Sequence, residues 1–134
     1  MIPSVVADTD VLSFTFKKDS RAELYRPHID DKLVVVSFMT IAELDRWAIH
    51  HNWGARRRRS LEVFLQDFLF SYCDRPLCLK WAEATNNARR NGRPIEIADA
   101  WVAATALLHG IPLVTHNRSH YLGVDGLTVL SEAP

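Results

Sequence analysis

Four short runs limit this chain to a small set of folds: 4–7 (SVVA), 33–37 (LVVVS), 111–115 (IPLVT) and 127–130 (LTVL). They are apolar along their length instead of alternating. An alternating strand buries one face, whereas a continuously apolar one is buried on both, as in a parallel sheet covered by helices. Helical spacing fills the intervals. Thr40 to about His51 puts Ile41, Leu44, Trp47 and Ala48 on one side, and Ser60–Phe70 does the same with Leu61, Phe64, Leu65 and Phe68. Residues 79–91 and 99–109 are further helices, each followed by a glycine (Gly92, Gly110) where a helix ends. One or two short helices are expected within 11–31, and a further short strand near Ser71–Cys73. Strands separated by helices predict an α/β fold of three layers, α/β/α, around a mostly parallel sheet of four to five strands. The 134 residues suit a single domain spanning 1–134.

Several classes are excluded. No apolar run approaches the roughly 20 residues that span a bilayer, and the N-terminal MIPSVVADTD lacks the pattern of a secretory signal. A cytoplasmic protein is expected. Cys73 and Cys78 have no further Cys or His pair at zinc spacing and are expected to be free thiols. Lys and Arg number 16, as do Asp and Glu, so affinity for nucleic acid would rest on a local patch and not on total charge.

The acidic residues fall in a pattern. In an open parallel sheet, ligands bind beyond the carboxyl ends of the strands. Asp8 follows the first run directly. Glu43 sits in the first expected turn of the helix after the second run, Asn117 lies just past the third, and Asp99 opens the helix leading into it. All four should share one rim. Each also has a structural reading: Thr40-Ile41-Ala42-Glu43 matches a capping box, Asp99 and Asn117 suit helix caps, and Asp8 with Asp10 suits a turn. Capping does not require a shared edge, however. Carboxylates so gathered repel one another unless a cation neutralises them.

The segments VVADTDVLS (5–13), VSFMTIAEL (36–44), IEIADAWVAATALLHG (95–110) and IPLVTHNRSHY (111–121) together resemble the PIN-domain ribonucleases, in particular the VapC-type toxins of toxin–antitoxin pairs. The resemblance implies a PIN-like fold and a metal-dependent endoribonuclease. Asp8, Glu43 and Asp99 would bind one or two Mg²⁺ or Mn²⁺ ions, and the fourth site position falls on Asn117. Thr9, Ser13 and Thr115 would position water or phosphate, and His116 or His120 would contact RNA or act on a proton. It also implies a homodimer and a cognate VapB-like antitoxin. The chain departs from the pattern at Asn117 and His120, where relatives often carry aspartate, and at Asp10, where asparagine is common. Arg56, Arg57, Arg58 and Arg59 have three readings: contacts to RNA phosphates, pairing with an acidic partner, or a solvated helix end. Trp53, beside Gly54, is the tryptophan expected at the surface, at a contact between copies.

Two rival readings stand beside this one. A catalytically weakened PIN domain would bind RNA or protein without cutting. A haloacid-dehalogenase-like phosphohydrolase would use Asp8 as nucleophile and Asp10 as acid, but the late strand lacks the acidic pair that chemistry needs.

Overall fold

The computed structural model describes residues 2–134. Five strands form one sheet: β1 (Ser4–Ala7), β2 (Leu33–Ser37), β3 (Leu69–Ser71), β4 (Leu113–Val114) and β5 (Val129–Leu130). Their order is β3-β2-β1-β4-β5 and every pairing is parallel. Six α-helices connect them: α1 (Thr9–Lys17), α2 (Ala22–Ile29), α3 (Phe38–His50), α4 (Ala55–Leu65), α5 (Arg75–Arg90) and α6 (Ile97–His109). A 3-10 turn covers Arg118–Tyr121.

The unbroken apolar character of the strands is explained by two cores. Val5, Ala7, Val34, Val36 and Val114 face Val11, Leu12, Phe14 and Tyr25 of α1 and α2. On the other face, Val6 and Leu113 meet Ala84 and Ala88 of α5 and Val102, Ala103 and Ala106 of α6. The small residues of α5 and α6 let these helices pack closely on each other and on the sheet. At roughly 25 cal/mol per Å² of apolar area removed from water, this burial is the main term holding the layers together.

Several boundaries differ from the sequence expectation, each for a local reason. α3 begins at Phe38, not Thr40, because the Ser37 hydroxyl caps it by accepting from Met39 N at 3.1 Å. Glu43 therefore sits in the second turn, and the capping-box reading fails. α6 begins at Ile97, which puts Asp99 in its first turn instead of at its start. α4 spans 55–65 and not 60–70, so all four arginines lie inside it. β3 ends at Ser71, where the sequence suggested a strand beginning there. α5 starts at Arg75, capped by Asp74, whose Oδ1 accepts from Leu77 N at 3.0 Å.

Gly123 fastens the segment after the 3-10 turn to the α5–α6 connection. A Cβ there would meet Arg93 O at 2.4 Å and Ala88 Cα at 3.0 Å, and Asn91 Nδ2 donates to Gly123 O at 2.8 Å. Backbone atoms on both sides cannot yield cheaply. Gly123→Ala is expected to destabilise the protein by about 1–3 kcal/mol, measurable as a lowered midpoint in urea unfolding.

Candidate active site

β1 is the central strand, with β2 and β4 on either side, so the chain reverses its direction of travel across the sheet at β1. Such a switch point opens a crevice at the carboxyl ends of the strands. Asp8 stands there, at the end of β1 and at the N-cap of α1. It is buried, 5% exposed. Its Oδ1 accepts from Thr9 N at 2.8 Å, and its Oδ2 accepts from the Thr115 and Tyr121 hydroxyls, each at 2.8 Å. Tyr121 OH also lies 3.4 Å from Asp99 Oδ1, so one hydroxyl stands between two carboxylates. Asp99 Oδ2 lies 3.2 Å from His120 Nδ1. On the other side, Thr9 Oγ1 donates to Glu43 Oε1 at 2.8 Å and stands 2.9 Å from Thr40 Oγ1. A continuous path of hydrogen bonds therefore joins Asp99, Tyr121, Asp8, Thr9 and Glu43.

Asp10 extends the cluster. Its Oδ1 accepts from Val11 N at 2.7 Å, and its Oδ2 accepts from His116 N and Asn117 Nδ2, both at 2.9 Å. Two departures from the family pattern thus meet in space: the acid at 10 holds the amide at 117. A cleft of about 300 Å³ opens on the group, lined by Asp8, Thr9, Asp10, Glu43, Trp47, Glu96, Ala98, Asp99, Asn117 and His120. A larger hollow of about 560 Å³ lies elsewhere, along β3 and the end of α6, bordered by Leu69, Phe70, Tyr72, Asp74, Leu108 and Ile111. It has no acidic cluster and is not where the chemistry gathers.

The electrostatics are those of crowded anions. Burial raises the Asp8 carboxyl above its ordinary range against the pull of its three hydrogen bonds. Burial first, then the charge of Asp8, pushes Asp10 up to about 7. Glu43 and Asp99 are raised by burial, with Asp8 adding repulsion, and Arg46 eases Glu43 slightly. Tyr121 is raised by burial and by the surrounding carboxylates, so it remains a neutral donor. The first turn of α6 offers Asp99 a partly compensating helix dipole.

Among the described residues no three His, Cys, Asp or Glu side chains already form a cation-ready cluster; the Tyr121 hydroxyl stands between Asp8 and Asp99, and the Thr9 hydroxyl engages Glu43. The donor set itself is all oxygen and mostly anionic, which suits Mg²⁺ or Mn²⁺ and not zinc.

Of the other residues singled out in the sequence, Ser13 and Thr115 are buried and offer nothing to an RNA in this arrangement. Thr115 holds Asp8 instead. The His116 ring turns away from the cleft to bond Tyr25 OH, while its N–H serves Asp10. Arg56, Arg57, Arg58 and Arg59 are exposed on α4 and do not line the cleft. Trp53 is half-buried, packed on Phe16 at 5.7 Å between ring centroids, and is not the exposed ring expected. Cys73 and Cys78 are free. The sequence reading missed the bridging role of the Tyr121 hydroxyl, and also Thr40, Trp47 and Glu96. Trp47 was accessible to it, since it lies one helical turn after Glu43.

The fold and the strand-end acids together match a known family. The PIN-domain model matches residues 5–122, and the chain belongs to the PIN-domain family. Among curated proteins it is similar to "Ribonuclease VapC1" of Haemophilus influenzae (strain R2866), 27% identical over 122 residues, covering 90% of this chain and 91% of the relative. Among solved structures it resembles VapBC-1 from nontypeable Haemophilus influenzae, with a TM-score of 0.80 and 25% identity over 96% of this chain and 97% of that one. VapBC2 from Rickettsia felis, bound to a DNA fragment from its promoter, shares the fold at a TM-score of 0.82 and 17% identity, over 96% and 98% of the two chains.

Folded Asp10 keeps its proton up to about 7, whereas an ordinary aspartate releases it near 3.8. Between those values the folded state binds more protons than the unfolded one, so stability falls as pH rises from about 4 to about 7 and then levels. Thermal melts in EDTA should give a higher midpoint at pH 5 than at pH 8, and Asp10→Asn should remove much of that difference.

Proposed function

We infer that the chain is one PIN domain acting as a metal-dependent endoribonuclease, the toxin of a toxin–antitoxin pair. The observation that carries this reading is the meeting of Asp8, Asp10, Glu43 and Asp99, from three separate regions of a PIN-family sequence, around one cleft. We assign Asp8 and Asp99 as the main ligands of Mg²⁺ or Mn²⁺, one or two ions, with Glu43 as a further ligand or as the group that orients the attacking water. When bound, such a cation activates water and stabilises charge on the phosphoryl oxygens.

The chain's own residues do the rest. Tyr121 and Thr115 hold Asp8 in one rotamer by donating to its Oδ2. Thr9 aims Glu43 toward the cleft. Asn117 sits at the rim with its amide on Asp10, and Asp10, once ionised above about pH 7, supplies a charge that asparagine at 117 does not. His120, exposed at the rim beside Asp99, is placed to contact the phosphate or to donate a proton to the departing oxygen. The buried walls around Asp8 exclude bulk water and so strengthen these interactions.

Solved structures with this fold include toxin–antitoxin complexes, and we extend to this chain a VapB-like antitoxin and a homodimer. Among the described residues no helix is long and apolar enough to cross a membrane, and the proposed work on RNA belongs in the cytoplasm.

The test is cleavage of a mixed RNA pool with Mg²⁺ or Mn²⁺. Asp99→Asn and Asp8→Asn should each lower the rate on the order of a hundredfold or more, the scale for removing one electrostatic contact from a transition state. EDTA should abolish cleavage and added Mn²⁺ restore it. Equal rates in wild type and Asp99→Asn would remove these assignments. RNA binding without any metal-dependent cleavage would favour the binding-module reading.

A further inference from the structure

Resting on the ribonuclease reading, we propose that an RNA strand reaches the acidic cleft along a strip of cations clamped on aromatic rings: Lys17, Trp47, Phe16, Trp53 and Arg57. Trp47 forms part of the cleft wall. Lys17 Nζ lies 4.6 Å from the Trp47 ring centroid. Phe16, the next residue back on α1, stacks on Trp53 at 5.7 Å, and Arg57 Cζ lies 4.2 Å over the Trp53 ring. These neighbours lead from the cleft, across the end of α1, to the arginine run of α4.

The way these cations are held decides what they can bind. A lysine or arginine paired with a carboxylate is positioned but neutralised. One held over an aromatic face is positioned by the ring quadrupole and keeps its full charge and its donors. Among the described residues the ion pairs involve Arg21, Arg26, His28, Lys80 and His120; neither Lys17 nor Arg57 takes part. Both are exposed. The strip thus holds two pre-positioned cations that take part in none of the ion pairs among the described residues, which suits a chain of phosphates. It also resolves a contradiction in the cleft. A site crowded with carboxylates repels a polyanion, so the substrate must gain its affinity beside the acids and not among them.

The strip is tested by fluorescence anisotropy of labelled single-stranded RNA in EDTA, titrated between 50 and 200 mM salt. Each phosphate that the protein no longer neutralises should lower the salt slope of log Kd by about 0.7. Lys17→Gln with Arg57→Gln should therefore lower it by about 1.4, so that the variant loses about sevenfold less affinity than wild type over that range. Arg89→Gln with Arg90→Gln, on exposed α5 positions, should leave the slope unchanged. If the first pair fails to fold, Arg57→Gln alone should give half the effect. An unchanged slope and Kd overturn the proposal, as does loss of binding to an acidic protein partner with RNA affinity intact. Because binding is read without a divalent ion, the two readings fail separately. A chain that binds through the strip but cuts nothing removes the nuclease, and one that cuts with an unaltered slope removes only the strip.

Discussion

The structure depends on one buried carboxylate. Asp8 ends the central strand with both oxygens engaged, by Thr9 N on one side and by the Thr115 and Tyr121 hydroxyls on the other. Burying an unpaired carboxylate is among the costliest things a fold can do. Here three donors, from α1, the end of β4 and the 3-10 turn, converge to offset that cost. In doing so they draw those elements to a common point. Among the described residues no buried side-chain N or O atom lacks a partner, so the cluster is strained by charge and not by missing hydrogen bonds.

Much of the fold was legible in the amino-acid order because the strongest signal, burial of strands on both faces, is written in long enough runs. Val5 and Val6 point to opposite cores, and both must be apolar. The misses have physical causes. Four arginines mask the start of α4, since helical periodicity cannot be seen in residues that are all solvated. β3 is a short edge strand whose Leu69 and Phe70 are 52% and 42% exposed, so no burial pattern marks it. The acids were visible because they follow strand ends. Tyr121 shows in the sequence only as one more aromatic residue, and nothing there tells whether its hydroxyl meets water or two carboxylates.

The cluster also joins two strand ends, since the Asn117 amide donates to Asp10 Oδ2 at 2.9 Å and the His116 N–H donates to the same oxygen. The supporting loop is anchored from below, where Tyr25 OH meets His116 and accepts from Glu132 N at 3.1 Å. The rim near Asn117 is therefore tied to α2 and to the segment after β5.

The Thr115–Asp8 bond has a further consequence, because its partners are 107 residues apart in sequence. Pairings of such long separation form late, since loop closure must precede any reward. Tyr121, which bridges Asp8 and Asp99, emerges from the ribosome after every acid it touches. The reactive pocket is thus completed only after Tyr121 has followed all of residues 8–99 out of the ribosome and folded back onto them.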